Sequence, residues 1–151
     1  MGGYGALRIA FAHPELFSAV SAQSAALITE SPQQLDSAER AGAPLGGVLS
    51  AVFGKPLDVR HWNENNPFVL AKRNAASLKT MKIYFNCGQD DNYGFEKGAA
   101  DLDAELNKLG VKHEYHSYPG DHSFTYFWSH FSEVMEIHSR AFGLIPSGTK
   151  G

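Results

Sequence analysis

Strand-like segments alternate along this chain with stretches of helical periodicity, and that alternation constrains the fold more than any other feature. Phe17 to Ala22 is short and rich in small residues, Met81 to Asn86 carries a compact apolar centre, and His113 to Tyr118 is more polar, as suits a sheet edge. After the second segment Phe95, Ala99, Leu102, Leu106 and Leu109 recur at helical spacing, with Gly110 placed to end the helix. After the third, a helix is predicted from about Ser123 to Phe142, with Phe124, Phe127, Trp128, Phe131, Val134 and Met135 on a broad apolar face. Strands separated by helices of this length pair in parallel and carry helices on the sheet faces, so the class is α/β, with about three parallel strands.

The periodicity fails between about residues 25 and 76, where Pro32, Pro44, Pro56 and Pro67 interrupt polar stretches. A long irregular insertion in a compact domain is usually functional or mobile, so this one reads as a lid-like excursion. Short helices are predicted near Gly47 to Phe53 and Pro67 to Lys72. The domain is expected to run over residues 1–145, with 146–151 as a flexible tail.

Composition excludes several function classes. Thirteen basic residues against sixteen acidic give a formal charge of −3, with no basic run to track a phosphate backbone, so nucleic acid is a poor partner. No stretch approaches the roughly 20 apolar residues of a membrane span. Cys87 is the single cysteine, which rules out an internal disulfide and a cysteine metal cluster.

The amino-terminal run Met1-Gly2-Gly3-Tyr4-Gly5-Ala6-Leu7 has the smallness that a strand-turn-helix elbow needs. Tyr4, Leu7 and Phe11 then form an apolar stripe that predicts a helix from about Gly3 to Ala12, closed by Pro14. In such an elbow the nucleophilic serine would lie one residue before Met1. In parallel sheets, reactive groups gather beyond the carboxyl ends of the strands. Two loops there carry candidates: Asn86-Cys87-Gly88-Gln89-Asp90-Asp91-Asn92, with a carboxylate pair, and Tyr118-Pro119-Gly120-Asp121-His122, ending in an imidazole. A carboxylate that accepts the Nδ1 proton of a histidine fixes its tautomer and stabilises the imidazolium formed when a nucleophile gives up its proton.

Of the two acids Asp91 is favoured over Asp90, because adjacent loop residues point different ways and only one should reach the ring. The bland alternatives are that Asp91 or Asn92 caps the helix ahead of Phe95 and that His122 is a solvated turn residue. Ser21 and Ser24 are less suited as substitute nucleophiles, since neither sits in a glycine elbow. Trp62, Tyr93, Tyr126 and Trp128 could line a pocket for aromatic acyl groups or sugars, although aromatics on helix faces are more often core.

Taken together the chain resembles the carboxyl-terminal half of the putative-esterase branch of the α/β-hydrolases, which includes esterase D-like S-formylglutathione hydrolases, acetyl-xylan and feruloyl esterases, and mycolyltransferases. The resemblance rests on the elbow-like start, on His13-Pro14-Glu15-Leu16-Phe17 as the helix-to-strand join, on the Gly88-Gln89-Asp90-Asp91 acid loop, and on Pro119-Gly120-Asp121-His122-Ser123-Phe124 with Trp128 beyond. It implies a partial α/β-hydrolase fold, with Asp91 as triad acid and His122 as triad base. Met1 stands where the residue after the serine gives an oxyanion-hole amide; as a free terminus it would carry an ammonium instead. The implied chemistry is serine acyl transfer on an ester or thioester, small or carbohydrate-linked, with no metal or organic cofactor. The alternatives are a non-catalytic half-fold that binds a partner, or one part of a split acyltransferase. An unpaired edge on the Phe17 to Ala22 strand also predicts self-association.

Overall fold

A computed structural model describes residues 1–31, 33–35 and 46–144. The expected tail, 146–151, and the middle of the expected insertion, with Pro32 and Pro44, lie outside the described residues. The elements in order are α1 (Gly2–Ala12), a short 3-10 turn (Pro14–Leu16), β1 (Ala19–Gln23), α2 (Gly46–Phe53), α3 (Val59–Asn65), α4 (Pro67–Leu78), β2 (Lys82–Gly88), α5 (Phe95–Lys108), β3 (Glu114–Tyr118), α6 (Phe124–Ser129) and α7 (Phe131–Ala141). The three strands form one parallel sheet in the order β1-β2-β3. Val20 pairs with Ile83 and Phe85 with Tyr115, which fixes the register across the sheet.

β2 is central and, apart from Lys82, buried along its length, as a strand covered on both faces must be. On one face Val20, Ala22, Ile83, Phe85 and Cys87 join Leu7 and Phe11 of α1, Leu70 and Leu78 of α4, and Leu102 and Leu106 of α5 in the main core. Each fully buried leucine there contributes roughly 1.5–3 kcal/mol of burial. The other face is polar and meets α7: Ser21 Oγ lies 2.9 Å from His138 Nε2, and Tyr84 donates to Glu133 Oε2 at 2.5 Å.

The second half of the 25–76 segment is more regular than its sequence suggests. Asn66 caps α4 by accepting from Phe68 N–H, with Pro67 at the first helical position, where its missing N–H costs nothing. Leu70, Ala71 and Leu78 of α4 belong to the main core, and Asn74 Nδ2 donates at 2.7 Å to the Phe11 carbonyl near the end of α1. α4 is therefore a packing helix rather than a lid.

The single helix predicted from Ser123 to Phe142 is instead two, α6 and α7, broken at His130 (φ −106°, ψ 10°). His130 stacks on Tyr118 with ring centroids 4.1 Å apart and sets Nδ1 3.0 Å from Glu133 Oε1. The break lets Tyr126 of α6 pack beneath the preceding loop while α7 lies across the sheet. The predicted apolar face is correspondingly split: Tyr126 and Ile137 are buried, but Phe124 and Trp128 are 77% and 66% exposed.

Candidate active site

The two loops singled out in the sequence leave the carboxyl ends of β2 and β3 side by side and are locked together through backbone. Gln89 N–H donates to the Tyr118 carbonyl at 2.8 Å, and Asp90 N–H to the Gly120 carbonyl at 3.0 Å. A Cβ on Gly88 would collide with the Gly120 carbonyl, and Gly120, at φ 137°, lies against the Tyr126 ring. Only glycine permits both the close approach and that backbone angle.

This interlock brings Asp91 and His122 together. Asp91 Oδ2 lies 2.8 Å from His122 Nδ1, with the carboxylate fully buried and the imidazole one-fifth exposed. Opposite a carboxylate, Nδ1 carries the proton and Nε2 is left with its lone pair. Asp91 Oδ1 accepts from Tyr93 N–H at 3.0 Å, and Asn92 Oδ1 accepts from the His122 N–H at 3.1 Å. The imidazole is walled edge-on by Tyr93, Phe95 and Phe127, with centroids 5.0–5.6 Å away. Asp90 points outward and is exposed. The residue capping α5 is Gly94, at φ 73°, so Asp91 is not that helix's cap.

Behind the carboxylate lies Cys87, whose Sγ is 3.6 Å from Asp91 Oδ2 and 3.7 Å from Ser24 Oγ. Burial, with the Asp91 charge added, pushes this thiol up to about 12, so it stays protonated and can donate. Ser24, buried at the end of β1, has φ 41°, a left-handed conformation rare for a side chain of its kind. Neither role is legible in the sequence, because a lone cysteine and a serine after a strand carry no pattern.

A second cluster holds α7 to the sheet. Glu133 accepts from Tyr84 and, at 2.9 Å, from Tyr118, and faces His130. Burial raises its carboxyl, but the hydrogen bonds from Tyr84, His130 and Tyr118 outweigh it and hold the carboxyl below the usual glutamate range. Burial and the Glu133 contact in turn push the Tyr118 phenol up to about 12. Tyr126 reaches Asn86 Oδ1 at 3.3 Å, tying α6 to β2.

His122 opens onto a cavity of about 360 Å³ lined also by Met1, Gly3, Ser21, Ser24 and Phe127. Met1 precedes α1, and its carbonyl accepts from Gly5 N–H at 3.0 Å. Gly3 sits so close to Gln23 and Ala25 that a Cβ there would be 3.1 Å from each, so α1 starts hard against the end of β1. The histidine and the start of α1 thus border one space, with the acid buried behind the imidazole. Of the aromatic candidates Trp62 and Tyr126 are buried, whereas Tyr93 and Trp128 are exposed. Among the described residues no group of three or more His, Cys, Asp or Glu side chains could hold a metal ion, and no helix is long and apolar enough to cross a membrane.

A parallel sheet of three strands flanked by helices, with loops converging at its carboxyl edge and the start of α1 facing them, is a partial α/β-hydrolase fold. The chain belongs to the putative esterase family, whose model matches residues 1–137. Among solved structures it is similar to a ferulic acid esterase (TM-score 0.69, 21% identity, covering 94% of this chain and 48% of that one). It is also similar to FphF, a fluorophosphonate-binding serine hydrolase of Staphylococcus aureus (TM-score 0.67, 22% identity, 89% and 49%). A third is the S-formylglutathione hydrolase FrmB of Staphylococcus aureus (TM-score 0.62, 20% identity, 90% and 50%). At these identities the likeness is one of fold, and the chain spans about half the length of each. No curated protein matches it.

Proposed function

We propose that this chain is the acid–base half of a serine esterase, with Asp91 as the orienting acid, His122 as the base, and a nucleophilic serine adjoining Met1, supplied by the preceding residue of a longer polypeptide or by another chain. The observation that carries this reading is the 2.8 Å Asp91–His122 contact on the cavity that also reaches the start of α1. Serine Oγ attacks the carbonyl carbon of an ester or thioester while its proton passes to His122 Nε2. The tetrahedral adduct then collapses, and the alcohol or thiol leaves with that proton. Water attacks the acyl-serine, again giving a proton to Nε2, and the carboxylic acid is released as serine recovers it. The Met1 amide, once in a peptide bond, is one oxyanion donor.

Removing a triad serine costs on the order of a million-fold in turnover, equivalent to about 8 kcal/mol. The 151-residue chain by itself is therefore expected to be nearly inert. β1 lies at one end of the described sheet, and in the isolated chain that edge is expected to drive self-association.

The test is to express the chain together with the residues encoded upstream of Met1 and to treat it with a serine-reactive phosphonate. The reading expects the label on the serine immediately before Met1, with ester hydrolysis lost in His122→Ala. For the two-chain form, the label appears on a co-purifying subunit. No labelled serine in either preparation overturns it.

A further inference from the structure

A second cavity meets the first at Met1, the one residue lining both. It is a narrow slot of about 40 Å³, lined by Tyr4, Val48, Val52, Phe53 and Trp62 among other apolar residues besides Met1. Its floor is a small hydrophobic cluster separate from the main core, in which Phe53 meets Trp62 edge-on at 4.9 Å and Leu57 packs beside them. The one phenol in the lining is already engaged, since Tyr4 donates to the Asn65 carbonyl at 2.8 Å. No charged side chain lines the slot. At its mouth Val48 and Val52 are 43% and 47% exposed, beside an exposed Met1.

The chemistry of acyl transfer assigns the two cavities to opposite ends of a substrate. The group that leaves takes its proton from the histidine, so it must lie on the side where His122 is, in the larger cavity. The acyl substituent is attached to the same carbonyl carbon and extends away from the leaving group. From Met1 the other space open to it is the apolar slot.

We propose that this slot is the acyl subsite and that it selects short, unbranched, uncharged acyl groups, an inference that rests on the serine-esterase reading above. A water-sized group needs about 10–15 Å³ by this measure of volume. The slot therefore holds about three such groups, the reach of a propionyl or butyryl chain beyond its carbonyl carbon. A terminal carboxylate would enter with no partner to offset its lost hydration.

The experiment uses the chain with Met1 N-acetylated, which leaves no ammonium beside the slot, and has its reporter built in, because Trp62 and Trp128 are the two tryptophans. Trp62 lies in the slot and is buried, whereas Trp128 is 66% exposed and lines neither cavity. Their indole N–H resonances in ¹H–¹⁵N spectra are followed during titration with acetamide, propionamide, butyramide and succinamate. Saturable shifts are expected at Trp62 and not at Trp128, with affinity rising about fourfold per added methylene up to butyramide and no response to succinamate. Val52→Asp, a change at an exposed position, is expected to abolish the butyramide response while the remaining spectrum stays folded. No shift at Trp62, an equal shift at Trp128, equal binding of succinamate, or an unaffected Val52→Asp variant would each overturn the assignment.

The two readings fail separately. Selective binding at Trp62 with no phosphonate-reactive serine keeps the slot and removes the esterase. A labelled serine whose kcat/KM does not change from acetyl to butyryl esters keeps the esterase and removes the slot.

Discussion

The carbonyl of Gly120 occupies the space that a side chain on Gly88 would need, so the acid loop and the histidine loop touch through bare backbone. Asp91 and His122 lie three and two residues further along these two segments, and their separation is set by this contact. Gly88→Ala is expected to force the loops apart and destabilise the fold by about 1–3 kcal/mol, measured by urea unfolding. The Asp91–His122 hydrogen bond should be lost with it.

Asp91→Asn keeps the shape of the carboxylate but presents the imidazole with an amide, which favours the wrong tautomer. In the proposed serine esterase kcat is expected to fall by about 10⁴-fold with the fold intact. Steady-state hydrolysis of a nitrophenyl ester, set beside circular dichroism of the variant, checks both halves of that statement. Asp90→Asn, at an exposed position, should leave the rate within a few-fold.

Glu133 makes stability depend on pH. Its carboxyl titrates lower in the folded chain than in the unfolded one, so the unfolded state binds its proton first as pH falls. The stabilisation is fully present above the ordinary glutamate range and is lost as pH drops through the lower folded value. Glu133→Gln should remove this component: the variant is less stable than the parent at pH 7, and the gap narrows towards pH 3. Urea midpoints across that range give the answer.

Cys87 is fully buried and its thiol is pushed up to about 12. Iodoacetamide at pH 8 should leave it unmodified in the native protein and alkylate it once urea unfolds the chain, as read by intact mass. Rapid modification under native conditions would show that the wall behind Asp91 is open.

The isolated chain is expected to form oligomers through the edge of β1. Sizing coupled to light scattering checks this, and a sharp monomer peak with cooperative thermal unfolding would contradict it.

Much of this architecture was legible in the sequence because local patterns and tertiary needs agree. The spacing from Phe95 to Leu109 matches α5, which ends at Lys108, and the apolar centre of Met81 to Asn86 matches β2. The loops holding Asp91 and His122 were legible for the same reason, since glycine turns after strands in a parallel sheet have few places to go. The break at His130 was not, because it is imposed by the Tyr118 ring and Glu133, partners that no window around residue 130 contains. The start of α4 at Pro67 was read correctly, but its continuation from Lys72 to Leu78 was not, because the helix passes through non-helical backbone at Asn74 (φ −110°, ψ 17°), whose side chain is held by the Phe11 carbonyl. Cys87, Ser24 and Asn92 matter only through what they touch, and contact is what a single sequence lacks.

The central claim is that Asp91 holds His122 with its proton on Nδ1, and imidazole ¹⁵N NMR of the chain near neutral pH tests it most directly, with His122 identified by its absence in His122→Gln. The account predicts a slowly exchanging, downfield Nδ1–H that disappears in Asp91→Ala while the other six histidines keep their signals. A His122 ring protonated on Nε2, or one whose Nδ1–H is unchanged when Asp91 is replaced, would contradict it.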